Sequence, residues 1–417
     1  MDANPPKEVK VIDMKDPNKL ISFVVAFQVI AQGCKNILVQ GFPFLYGIND
    51  MLNMVIMGGA LLMYLYALLS TLQLNVPSQS VGILCFVGLT YFFTYTLCPQ
   101  NAKFIQPTIL RTLVACFLTF LLVSKLTTFE YLQKYFTNGS YLITLSGVMY
   151  AGIISIIGHS TTSDWSTYSM TMSNVLLMSV LWQLNDFFEN KRKMPLLASF
   201  IGMTVIFLYG SRNPFLAIVF FICIKIFFSR DDNRSSSGFL KVLFVGFVLV
   251  ILSYFKEILM FVSSTLESYG LGSRTLYYLM NADTEDITTG RAEIHEKLWA
   301  VIFDNPIIGH GVAGDEAVID ELAHSMYLSI FITYGLVLGS IIILYLVSMA
   351  VKGIRWTTGL NHSIVVLYVC LVFPRSFTGG DIWSNDYLWF MLALIISALN
   401  QNIISNSFEY NIISNEY

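Results

Sequence analysis

Charge is what this sequence has least of. Across 417 residues, Asp, Glu, Lys and Arg together make up 12%, about half of the ~25% usual in a soluble domain. Hydrophobic residues supply 55% and aromatics 14%, and mean hydropathy is +0.65. That balance excludes an ordinary soluble globule and points to an all-α polytopic membrane protein. The net charge of −3 carries little as a total, because in such a chain the distribution of Lys and Arg between loops is what matters; no nucleic-acid partner is expected. Cysteine is sparse too. Cys34, Cys85, Cys98, Cys116, Cys223 and Cys370 lie in or beside apolar runs without CxxC spacing, which makes them small hydrophobes rather than metal ligands or a disulfide framework. The sequence also lacks a P-loop, a GxSxG elbow, an HExxH helix and a GxGxxG turn after a strand. Nucleotide hydrolysis, serine hydrolase, zincin and dinucleotide chemistry therefore have no support, and neither a metal nor a cofactor is expected.

What is present is a series of apolar runs. A bilayer core takes about 20 apolar residues per helix, and twelve candidate spans lie near 20–40, 50–73, 79–98, 108–127, 140–158, 168–188, 195–210, 213–229, 240–263, 324–350, 362–378 and 383–400. The polar residues 1–19 lack the apolar core of a signal peptide and are expected to be a cytoplasmic tail. With that end inside, fourteen of the 24 lysines and arginines fall in cytoplasmic segments and seven outside, the bias that orients membrane proteins. Residues 20–263 then hold nine spans, 264–323 form one long exterior (periplasmic) loop, 324–400 hold three more spans, and 401–417 return to the cytoplasm.

The exterior loop sets eleven carboxylates against Arg274, Arg291 and Lys297. Its segment "RAEIHEKLWAVIF" repeats apolar residues at Ile294, Leu298, Trp299 and Ile302, the spacing of an amphipathic helix. Thr288 or Thr289 can cap that helix and Pro306 ends it. Further helices are expected at 271–280 and 315–322. The loop is therefore read as folded, packed on the bundle or lying at the membrane surface.

Four of the seven exterior cations are arginines: Arg212, Arg274, Arg291 and Arg375. The guanidinium fork suits bidentate phosphate recognition, although any one of them alone could simply anchor a span end. Arg212 in "LYGSRNPF" and Arg375 in "LVFPRSFTGGD" sit in turns too tight to reach open water. A charge in that setting is expensive unless it faces a polar cavity, so both are functional candidates.

The order of these features resembles the O-antigen polymerase and ligase family of membrane glycosyltransferases. The matching residues are Ser211-Arg212, Gly290-Arg291, Trp299, Asn305-Pro306, Gly309, Gly311, His324 and Leu328. The sequence departs from the pattern at Asn213-Pro214, where a small residue is usual, and at Ser325, where asparagine is common. The resemblance implies transfer of a glycan from an undecaprenyl-pyrophosphate carrier to a hydroxyl of an acceptor glycan, without a metal, in the bacterial inner membrane. A polymerase, whose donor and acceptor are both lipid-linked, is favoured because that subfamily shares only the degenerate signature. A ligase acting on lipid A core, or a lipid-linked oligosaccharide flippase, is the alternative. A flippase should show two related halves, and no repeat of 205–345 is visible in the first half. Besides membrane lipids, a chain-length regulator is a further candidate partner.

Within that reading the pyrophosphate leaving group builds negative charge that Arg291, Arg212, Arg274 and Arg375 would stabilise. His324 is the candidate general base, set against a role as a helix-start histidine bonded to the loop. His295, placed on an exposed helix face, and His310, in a glycine turn, are weaker candidates; Glu293 or Asp315 could serve instead.

Overall fold

The computed structural model describes residues 16–157, 169–209, 213–227, 253–268, 291–377, 379 and 381–415, with isolated positions at 238, 241, 246, 276, 277 and 280. Among them regular structure is entirely helical. Arg212, Arg274, Thr288, Thr289 and most of the expected helix at 271–280 lie outside the described residues.

The first helices follow the apolar runs closely. They are α1 (Pro17–Gly41), α2 (Asn49–Ser70), α3 (Ser78–Leu97), α4 (Pro99–Ile105), α5 (Ile109–Val123), α6 (Glu130–Ile157), α7 (Met170–Asn190), α8 (Lys193–Tyr209) and α9 (Asn213–Phe227). Beyond them come α10 (Phe255–Ser268), α11 (Arg291–Asp304), α12 (Gly314–Ile319), α13 (Met326–Trp356), α14 (Gly359–Ser376) and α15 (Asp386–Asn415). Local sequence explains several boundaries. Asp16 accepts a hydrogen bond from the Asn18 N–H at 2.9 Å with Pro17 at the first helical position, and Ser169 caps α7 through the Met172 N–H at 3.0 Å, satisfying donors that a helix start leaves open. Lys191 takes a left-handed conformation, φ 55°, and turns α7 into α8.

Five described helices are long and apolar enough to cross a membrane: Pro17–Gly41, Phe44–Ser70, Ser78–Leu97, Met326–Trp356 and Gly359–Ser376. The pair α4 and α5, bent by 71°, makes a sixth as one broken span. A π-helical turn at Thr112–Leu118 sits within α5. The core between α6, α7, α14 and α15 is aromatic. Trp182 stacks on Phe136 with centroids 4.9 Å apart, and Tyr368 stacks on Phe390 at 4.6 Å, geometries that add to the area buried.

Polar groups collect at two places in the bundle. At one end Lys225 pairs with Glu189 at 2.9 Å and hydrogen-bonds Ser363, which donates to Asn185 at 2.5 Å. This network ties α7, α9 and α14 together. The other end gathers Lys35, Arg111, Arg375, α11, α12 and the start of α13, and holds the candidate site.

Candidate functional site

The site is built around a helix that the sequence breaks on purpose. Helix α13 would run for 31 residues, but Gly335 adopts φ 75°, ψ 176°, a region open essentially to glycine alone. A break frees backbone groups that must find partners. The segment after α11, "NPIIGHG", supplies them. Pro306 O accepts from the Leu336 N–H at 2.7 Å, the His310 N–H donates to Ile332 O at 2.6 Å, and the Gly311 N–H donates to Thr333 O at 3.1 Å. A Cβ on Gly309 would lie 2.3 Å from the Thr333 carbonyl group, and one on Gly335 would lie 2.7 Å from Ile307 O. Gly309 is therefore there for backbone contact, and Gly311 for its φ of 76° and its fit against the Thr94 side chain. On its other side the segment is held by Asn101, whose Nδ2 donates to His310 O at 2.7 Å and Val312 O at 2.8 Å. Thr94 accepts from the Val312 N–H at 3.0 Å.

This stitch fixes what lies around it. Helix α11 lays Leu298 and Ile302 against Ala323, Leu328 and Ile332, with Trp299 5.7 Å from the Phe331 ring. The amphipathic face expected from the sequence packs on α13. Helix α12 carries Asp315, buried, whose Oδ2 accepts from the Ala323 N–H at 2.7 Å. That bond holds the turn before α13, where His324 sits at φ 48°, an uncommon conformation for a residue with a side chain.

His324 is half-buried, and burial pushes its pKa below the ordinary value, assisted by the charges of Arg291 and His295 and opposed by Asp315 and Glu321. A neutral imidazole is thus favoured. Arg291 opens α11, half-buried, with Nη2 3.9 Å from the Met170 Sδ at the start of α7. His295, one turn along α11, was expected on an exposed face; it is half-buried with Nε2 enclosed. Placed at i and i+4 on one helix face, Arg291 and His295 both act on His324. Glu293 points away: it is exposed and paired with Lys297 at 2.9 Å.

A second carboxylate joins the cluster. Asp381 accepts from the Ser329 hydroxyl at 3.1 Å and from the Trp383 and Ser384 N–H groups at 2.9 and 3.2 Å. It is half-buried, and burial raises its pKa to about 6. Asp315 also acts on it, and both act on Glu316, whose pKa burial raises. Asp381 is not among the residues expected from the sequence; the signal for it is a carboxylate in the short segment between two apolar runs.

Arg375 lies in the last turn of α14. Its Cζ lies 5.3 Å from the Tyr387 ring centroid, and Arg111 also acts on Tyr387. The structure thus places Arg291 where its charge acts on His324, sets Arg375 in the last turn of α14, and does not describe Arg212 or Arg274. Among the described residues, no group of three His, Cys, Asp or Glu is arranged to hold a metal ion.

Residues 197–344 match a family model described as O-antigen ligase. The match is consistent with the O-antigen polymerase and ligase proteins. It runs from α8 through the broken turn of α13 and includes Arg291, Asp315 and His324, while Arg375 and Asp381 lie beyond it. No curated protein and no solved structure matches the chain.

Proposed function

We propose that the protein is a membrane glycosyltransferase that polymerises O-antigen or capsule repeat units, moving an undecaprenyl-pyrophosphate-linked glycan onto the non-reducing-end hydroxyl of a second lipid-linked unit. The observation that carries this reading is the match of residues 197–344 to the O-antigen ligase family model, supported by Arg291 and His324 both lying within it, with the charge of Arg291 acting on the imidazole.

In this reading the end of the bundle bearing His324 faces the periplasm. The acceptor hydroxyl is a weak nucleophile. His324, kept neutral by burial and by Arg291, takes its proton as the oxygen bonds to the anomeric carbon. The bond from that carbon to the pyrophosphate oxygen breaks, and its electron pair leaves with the carrier. Arg291 meets the charge that develops, with Arg375, Arg212 and Arg274 as further pyrophosphate ligands. Asp315 holds the turn that aims His324. Asp381, held by Ser329 and the Trp383 and Ser384 N–H groups, is the further carboxylate that would accept a hydrogen bond from a sugar hydroxyl.

The second reading is a ligase that delivers the chain to lipid A core, favoured by the description of the matching family. Purified protein given a lipid-linked repeat unit alone separates the two. A ladder of longer glycans supports the polymerase, and product only on addition of lipid A core supports the ligase. Movement of the lipid across a vesicle membrane without bond formation would contradict both.

A further inference from the structure

After the break, α13 exposes Val337, Leu338, Ile341 and Leu344, as a helix long and apolar enough to cross a membrane does where it meets lipid. Its far end carries Lys352, Arg355 and Trp356, with the Lys352 amine 5.9 Å from the Trp356 ring, residue types that collect at a membrane–water interface. At about 1.5 Å per residue, the helix from Gly335 to Lys352 or Trp356 measures about 26–32 Å, against a hydrocarbon core of about 30 Å. The break therefore lies at the edge of that core, and any tilt brings it deeper.

The segment stitched to the break sits at the same level. Pro306 O accepts from the Leu336 N–H at 2.7 Å, and the next two residues, Ile307 and Ile308, are 74% and 67% exposed. Just before them Phe303 and Trp299 are exposed too, their rings stacked 5.5 Å apart. Nearer the start of α11 the exposed residues are Glu293, Glu296 and Lys297. The exposed side of α11 thus passes from charged to apolar as it approaches the break. Asp304 is exposed as well, and its carboxylate limits how far that end can sink.

Apolar side chains clustered on a surface mark a place of interaction, and here the cluster is continuous with the lipid-facing side of α13. We propose that the C-terminal end of α11 and the loop after it, residues 303–308, insert into the edge of the bilayer leaflet on the candidate site's side. Ile307 and Ile308 contact phospholipid acyl chains, and Trp299 lies at the headgroups. Lipid on one side and the stitch on the other then hold α11, and Arg291 at its start, at a fixed height over the membrane. Only the crossing of a membrane by α13 is required, whatever reaction the site performs.

The test places a nitroxide on Ile308→Cys in the full-length protein, its six native cysteines replaced by alanine, in vesicles of phosphatidylethanolamine and phosphatidylglycerol. Collision with oxygen, which concentrates among acyl chains, is compared with collision with a nickel chelate, which stays in water. Oxygen is expected to exceed nickel on Ile308→Cys and on Leu344→Cys, and nickel to exceed oxygen on Glu296→Cys. Adding Ile307→Asp beside the labelled Ile308→Cys is expected to reverse the ratio, and Ile307→Val to leave it as it was. In the chain with its cysteines intact, p-benzoylphenylalanine in place of Ile308 is expected to crosslink to phospholipid on irradiation. Nickel exceeding oxygen at position 308 places the loop in water and overturns the proposal. A label shielded from both reagents, or crosslinking to protein alone, overturns it as well, because another segment of this chain or a second copy then covers the surface.

Discussion

Gly335→Ala tests the device on which the site is built. Alanine at φ 75°, ψ 176° costs about 1–3 kcal/mol in backbone strain. Its Cβ would also approach Ile307 O to 2.7 Å and Pro306 O to 2.8 Å, so either the segment lifts or the helix straightens. Both movements break the bonds from Leu336 to Pro306, His310 to Ile332 and Gly311 to Thr333, each worth about 0.5–1.5 kcal/mol net. Strain and the two backbone clashes together penalise the seated state by roughly 3 kcal/mol, enough to reduce the seated population of the 306–311 segment about a hundredfold. Glycan transfer by purified protein, read with thermal unfolding in detergent, is the assay. Transfer should fall by two orders of magnitude or more, and the melting temperature should drop. Gly58→Ala, at a position where a Cβ meets nothing, should leave both unchanged or gain up to about 1 kcal/mol. Wild-type activity and stability in Gly335→Ala would refute the claim that the stitch positions the site.

Three other outcomes are expected. Because burial and Arg291 lower the His324 pKa, the acid limb of kcat/KM should lie below the ordinary histidine value of about 6.5, and His295→Gln should move it upward; a limb above 6.5 in the wild type would contradict this assignment. Asp315→Ala removes the acceptor of the Ala323 N–H and should lower stability by about 1–3 kcal/mol and kcat more than KM, read by thermal unfolding and steady-state kinetics. Lys225→Met leaves Glu189, 36% exposed at its side chain, without its cation. It should cost about 2 kcal/mol of stability, most of it recovered in Lys225→Met/Glu189→Gln, with little effect on transfer.

Much of the fold is legible because helical spans announce themselves by length and hydropathy. The runs near 20–40, 50–73 and 79–98 became α1, α2 and α3 with ends within a few residues, and the spacing of Leu298 and Ile302 marked the buried face of α11. The bend between α4 and α5 and the break at Gly335 were not legible. The bend falls in the polar stretch "PQNAKFIQPT" between two apolar runs, Gly335 lies inside continuous apolar sequence, and the partners that satisfy the broken turn come from twenty or more residues upstream. The same distance hid the site's carboxylates. Asp315 and Asp381 are 66 positions apart in sequence and act on each other only because α12 and the loop before α15 meet at one end of the bundle. His295 was misjudged because helical spacing assigns a face by its apolar residues, while this helix also packs its Arg291–His295 edge toward His324.

Incubation of the purified protein with a lipid-linked repeat unit alone addresses the central claim most directly, with Arg291→Lys and His324→Ala run beside the wild type. The account predicts a glycan ladder and released undecaprenyl pyrophosphate from the wild type, and no ladder from either variant although both remain folded in the membrane. Wild-type ladders from both variants would contradict it.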